Sequence, residues 1–313
     1  MLSSSGTAFS AACRSTARRA PASSVRQLST RAALPRTNYA AWIAATALTG
    51  SVLGYSVYQL KPELLPAVIP EAHAESEPSL NYYIDPNTST PFPTSITSPD
   101  GVKLALVGTG VRTVSFLGIK VYAGGFYVEE AVLKNLSKVE GFESFNAEKL
   151  LPPFPKSEDA GIYGEALIGK LLDVADVSVM IVPLRNTNLP HLRDGFSRAL
   201  VARMKLPHVS GALSEEQSES AGTALTELKG YFPGRTLPKG SPLELYFSSK
   251  KTVLFQMRST KDAHADVLGT LTHPILAKQL LLSYFSDSLE TSPELRKSTA
   301  LGLAGEPRHP STA

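Results

Sequence analysis

Across 313 residues the chain carries 31 Lys and Arg against 28 Asp and Glu, with an ordinary 42% of apolar residues, so it has the makings of a globular core. The positive excess is local, because residues 1–62 hold seven basic residues and no acid, leaving 24 basic against 28 acidic residues beyond them. That distribution, with no Lys or Arg cluster interleaved with aromatics outside the leader, excludes nucleic-acid binding; the single cysteine, Cys13, excludes disulfides, cysteine zinc sites and c-type haem from the folded part.

Residues 1–36, rich in Arg, Ser, Thr and Ala, have the composition of a mitochondrial transit peptide, with a plastid leader as the competing address. Residues 37–60 carry no charge, and 39–60 are long enough to cross a bilayer as one helix, with Tyr39, Trp42, Tyr55 and Tyr58 towards its ends. Gly50 and Gly54 form a GxxxG through which two copies could pair as a homodimer. A matrix-directed leader followed by such a stop leaves the C-terminal domain in the intermembrane space, tethered to the inner membrane. Residues 61–96, with seven prolines and no periodicity, read as a Pro/Ser-rich linker.

The folded domain is expected over 97–303, before a disordered tail at 304–313. Alternation and β-branched enrichment predict strands over 102–107 and 111–128, with turns at Asp100-Gly101 and at residues 108–110. Gly108-Thr109-Gly110 lacks the third glycine and following helix of a dinucleotide fingerprint. Helices are predicted over 129–138 and 162–172, then a strand over 176–184. The next helix, 190–204, buries Leu192, Phe196, Leu200 and Met204 and pairs Asp194 with Arg198 outside. Another, 213–228, opens on Ser214 with Gln217 in the capping-box position. A turn-rich stretch, a hairpin of 243–248 with 252–258, a strand near 265–270 and helices over 273–288 and 293–303 complete the order. Without regular alternation of strand and helix, this is an α+β domain with a mainly antiparallel sheet and helices on one side.

No GxxxxGK[ST], GxSxG, HExxH or paired-cysteine motif is present, and the six histidines are scattered without metal-ligand spacing. Arg112 stands out. A guanidinium at the start of an apolar, strand-like ribbon is costly to bury without an acceptor, so it calls for a carboxylate such as Asp194 or Asp266, a carbonyl, or an anionic ligand.

Gly110-Val111-Arg112, followed by Ala123-Gly124-Gly125-Phe126-Tyr127, resembles the signature of the chalcone isomerase fold, and the resemblance runs from about residue 97 to about 303. It implies an open-faced β-sandwich with Arg112 lining a cleft. In the isomerases that arginine stabilises the oxyanion of an intramolecular ring closure; in the non-catalytic fatty-acid-binding members it grips a carboxylate. The isomerase threonine falls at Tyr122, near a tyrosine of the fatty-acid-binding relatives. Its tyrosine and asparagine fall at Leu189 and Phe196, and its later threonine near Asp266. Neither Leu189 nor Phe196 can orient a hydroxyl or a water.

The run Arg185-Asn186-Thr187-Asn188-Leu189-Pro190-His191-Leu192-Arg193-Asp194-Gly195-Phe196, with the leader, the apolar segment and Arg112, resembles the fungal mitochondrial chalcone-isomerase-domain proteins of the altered inheritance of mitochondria family. That resemblance implies lost isomerase activity and an association with haem, for which His191 and His273 are the candidate ligands. The expectation is a membrane-tethered, non-catalytic protein holding an anionic hydrophobic ligand, fatty acid or haem, through Arg112 and Tyr122, with no metal site. An intramolecular lyase, using Arg112, and a membrane-tethered scaffold are the alternatives.

Overall fold

The computed structural model describes residues 81–308, apart from 115–117, 156–160, 259–264 and 289–290. The expected transit peptide, the apolar segment with Gly50 and Gly54, and most of the linker lie outside the described residues. Among those described, no helix is long and apolar enough to cross a membrane.

Two short strands, β1 (Tyr82–Ile84) and β2 (Pro91–Pro93), pair as a hairpin, and β3 (Ser95–Thr97) begins the main sheet. Of these, all but Thr97 were expected as linker. Their prolines did not preclude strands because the strands are short and peripheral, and Phe92 is fully buried against the sheet. The main sheet adds β4 (Lys103–Val114), β5 (Ile119–Glu129), β6 (Val177–Pro183), β9 (Leu243–Phe247), β10 (Val253–Arg258) and β11 (Ala265–Leu271), while β7 (Thr187–Asn188) and β8 (Thr236–Leu237) pair as a separate short ribbon. Its seven strands run in the order β11-β10-β9-β6-β5-β4-β3, every pair antiparallel.

Period-two alternation sorts the side chains between two cores. From β6, Val177, Val179 and Ile181 join the large core beneath the helices, whereas Met180 and Val182 join a smaller one with Phe92, Ile96 and Leu104. All helical members of the two clusters belong to the first. Helices therefore cover one face, as expected, and the N-terminal strands pack on the other. The helices are α1 (Glu130–Leu133), α2 (Glu165–Val174), α3 (Leu189–Met204), α4 (Pro207–Ser210), α5 (Glu215–Gly230), α6 (Pro274–Leu282) and α7 (Pro293–Leu303). In α5 the capping box of Ser214 and Gln217 forms as expected. In α3 the expected Asp194–Arg198 pair does not form: Asp194 pairs with Arg193, whose guanidinium lies 2.8 Å away.

Residues 108–110 make no turn. They run through the middle of β4, which continues to Val114 before β5 begins at Ile119. The glycines are there for proximity. A Cβ on Gly108 would lie 2.5 Å from the backbone nitrogen of Thr299, and one on Gly110 2.1 Å from that of Leu295, so only bare backbone lets α7 lie on this strand. Since β3 pairs only with Lys103, Leu104 and Ala105, α7 and the residues flanking it also satisfy the remaining edge of β4. Ser298 Oγ accepts from the Thr109 amide (3.0 Å), Ser292 Oγ donates to the Val111 carbonyl (2.8 Å), and Arg308 donates to the carbonyls of Leu106 and Val107. Arg308 lies in what was expected to be a disordered tail.

Candidate functional site

Arg112 and Tyr122 are direct partners in the register of β4 and β5. Gly108 and Gly110 face the helices, and two-residue periodicity places Arg112 on that same face. Tyr122 is buried, and Arg112 is partly exposed. Arg112 Nη1 donates to the Tyr122 hydroxyl at 3.4 Å, and its guanidinium carbon lies 5.8 Å from the ring centroid, a cation–π distance.

A third polar group completes the cluster. Tyr284, fully buried just beyond the end of α6, is coupled electrostatically to both Tyr122 and Arg112. Burial pushes the Tyr284 phenol well above its ordinary pKa, with Tyr122 adding to the shift and Arg112 opposing it. Burial also weighs against the charge of Arg112, but Tyr122 and Tyr284 more than offset it, so its pKa is raised and it stays a cation. Tyr284 was foreseen only as part of an apolar helix. The available signal was its hydroxyl, since a buried tyrosine requires a partner.

The carboxylates proposed as partners for Arg112 are engaged elsewhere: Asp266 pairs with Arg235 and Asp194 with Arg193. Among the described residues, no carboxylate forms an ion pair with Arg112. The cluster is thus a cation bordered by two buried phenols, which can donate several hydrogen bonds towards one anionic group. It lies beside the connection from α6 to α7, pinned at its far end where Thr291 returns to the Ser283 carbonyl and Ser292 reaches Val111.

Leu189 and Phe196 are both buried in the main core, and Phe196 packs against Phe232 and Phe255 with ring centroids 5.8 and 6.0 Å apart. His191 is exposed in the first turn of α3, its amide donating to the capping side chain of Asn188. His273 caps α6: Nδ1 accepts from the Leu276 amide, and Nε2 lies 3.2 Å from Ser220 Oγ. At 1.5 Å per residue, that end of α6 lies roughly 15 Å from Tyr284. The run from Arg185 to Phe196 has a structural task. Arg185 donates to the Lys120 carbonyl, Asn186 accepts from the Lys239 amide, and Asn188 caps α3.

Comparison with known proteins agrees with this architecture. Residues 102–300 match the family model described as chalcone isomerase like. The relatives include altered inheritance of mitochondria protein 18, mitochondrial, of Debaryomyces hansenii, 29% identical over 243 residues that span 73% of this chain and 76% of that one. The protein of the same name from Lachancea thermotolerans is 28% identical over 67% of this chain and 71% of its own. Its counterpart in Saccharomyces cerevisiae strain AWRI1631 is 25% identical over 84% and 81%. A crystal structure of an Arabidopsis thaliana fatty-acid binding protein superposes with a TM-score of 0.50 at 17% identity, covering 72% of this chain and 100% of that one, so the two share a fold. With the family model spanning nearly all of the main sheet and its helices, the chain belongs to the chalcone isomerase-like family.

Proposed function

We propose that this protein binds an anionic hydrophobic ligand without transforming it, and that Arg112 and Tyr122 hold the anionic end. The observation that carries this reading is Arg112 itself, set among two buried phenols with no carboxylate ion-paired to it among the described residues. A carboxylate would accept from the guanidinium fork and from a phenol at once, with charge-assisted bonds on one side. Its hydrocarbon body would lie against the apolar core between sheet and helices. The relative of known structure named as a fatty-acid binding protein supports the same ligand class.

Fatty acid is favoured over haem because His273 uses both ring nitrogens within the fold and His191 stands in solvent, so neither is placed as an axial ligand. Ring closure is disfavoured because Leu189 and Phe196 present no polar atom. A mitochondrial address, with residues 39–60 as an inner-membrane anchor and the domain in the intermembrane space, is part of this proposal. It is supported by the acid-free leader and by relatives named as mitochondrial.

The test is to purify the full-length chain, extract it and identify co-purified ligand by mass spectrometry and visible absorption, in parallel with Arg112→Ala. A fatty acid recovered from the first and depleted in the second is expected. Equal recovery from both would overturn the role of Arg112.

A further inference from the structure

Three cations gather at the end of the sheet where β4 stops and β5 starts. Arg112 is partly exposed there, and Lys120 and Arg185 are exposed. Register sets them close together: Arg112 faces Tyr122, Thr113 faces Lys120, and Tyr122 faces Pro183, two residues before Arg185. The two exposed side chains are held by carbonyls. Lys120 Nζ donates to the Asn87 carbonyl at 2.8 Å, and Arg185 Nη2 to the Lys120 carbonyl at 3.2 Å. A carbonyl orients a cation without neutralising it, and among the described residues none of the three forms an ion pair.

Two carboxylates meet the loop that contains Asn87. Asp85 is fully buried and accepts from the hydroxyls of Thr88 and Thr109, whereas Glu294 is exposed and accepts from Asn87 Nδ2 at 3.1 Å. The surface here is therefore positive, with three cations set against one exposed acid. It is also partly apolar: Val114, the last residue of β4, is 41% exposed, and its register partner Ile119 is partly exposed. A specific protein partner needs a face of about 800 Å² with a desolvated apolar centre. One valine and one isoleucine at a strand end are too little for such a centre. They suffice for shallow entry into a lipid interface, where the surrounding cations meet anionic head groups.

We propose that this end of the domain docks on an anionic lipid bilayer, with Lys120 and Arg185 at the head groups and Val114 in the interface. The docking stands apart from the ligand reading above. One consequence rests on that reading: a bilayer at this end brings Arg112 to the lipid surface, where the carboxylate of a fatty acid lies, so that an acid leaving the leaflet would meet the guanidinium head first.

The test uses the full-length chain with its sole cysteine replaced, Cys13→Ser, and one bimane label at either Val114→Cys or Val174→Cys. Val174 is 53% exposed at the opposite end of the sheet, beside the start of β6. The chain is reconstituted into vesicles of phosphatidylcholine, with or without phosphatidylglycerol, that carry doxyl-labelled lipid as quencher. Position 114 should be quenched only with phosphatidylglycerol and recover in high salt, while position 174 stays bright. Lys120→Gln with Arg185→Gln should lower the ratio of docked to free label by about twentyfold, roughly fivefold for each cation removed. Should that variant not fold, Lys120→Glu alone reverses one charge and should lower the ratio by at least about fivefold. Equal quenching at both positions would mean that residues 39–60 alone hold the domain near lipid. Equal quenching in both vesicles, or none lost in the folded variants, would remove charge from the account. Each of these results overturns the proposal. Position 114 unquenched in both vesicles yet protected from aqueous iodide would assign this end to a second copy and overturn it too. Dodecanoic acid binding in detergent, without vesicles, decides the ligand reading separately.

Discussion

Arg112 and Tyr122 face each other across adjacent antiparallel strands, with a guanidinium nitrogen 3.4 Å from the phenol oxygen. The spacing is long for a strong bond, so Arg112 retains donors for an incoming anion.

Replacing Arg112 by Ala should therefore weaken dodecanoic acid binding by about tenfold to a hundredfold, as for loss of a charge-assisted hydrogen bond, and leave dodecanol binding nearly unchanged. Arg112→Lys should recover only part of the loss, because an ammonium cannot engage both carboxylate oxygens as a planar fork does. Isothermal titration with the two probes checks both outcomes.

Tyr122→Phe removes the hydroxyl that accepts from Arg112. We expect about a fivefold loss of acid affinity, the size of one ordinary hydrogen bond, with the fold intact. An unchanged affinity beside an unchanged melting temperature would show that the phenol plays no part in holding the ligand.

The contact between Gly110 and Leu295 predicts a contrast between two glycine substitutions. Gly110→Ala drives a methyl group into the backbone of α7 and should cost about 2 kcal/mol or more. Gly195→Ala adds a methyl with nothing within 4 Å, in the middle of α3, and should stabilise by about 0.5–1 kcal/mol. Urea denaturation of the two variants compares them directly.

Acid should weaken the ion pair of Glu165 with Arg203, whose guanidinium lies 2.6 Å away. Burial opposes ionisation of Glu165, but Arg203 and the Asp287 amide outweigh it, and its pKa is lowered on folding. Its pairing therefore stabilises the fold at neutral pH, and that contribution is lost as pH falls through the folded-state pKa. Asp287, raised chiefly by burial, works in the opposite sense, adding stability at low pH that is lost as pH rises through its own folded-state pKa. The stability of Glu165→Gln, followed by urea unfolding between about pH 5 and about pH 3, should depend less steeply on acid than that of wild type.

The main-sheet strands from β4 onward and most helices could be read from apolar periodicity, and Arg112 from its chemical incongruity on an apolar ribbon. Residues 108–110 were misread because glycine marks both turns and close approach, and the helix that approaches lies some 190 residues later. The reciprocal pairing of Glu165 and Asp287, each accepting from the other's backbone amide, left no local trace, since they are separated by 122 residues. The helix expected to reach Ser288 ends at Leu282, where the chain departs into the turn whose Ser286 carbonyl is claimed by Arg296. Each miss concerns a partner that only the folded chain brings near.

The open edge of β4 is satisfied from a distance of 181 to 202 residues, by Ser292, Ser298 and Arg308. The strand that bears Arg112 is consequently synthesised long before its cover. During translation it waits as an exposed pairing template, and contacts so remote in sequence form slowly. A nascent chain halted before Ser292 would present this edge to chaperones or to other strands, which makes completion of the C-terminal helix the step that commits the sheet to a single-chain fold.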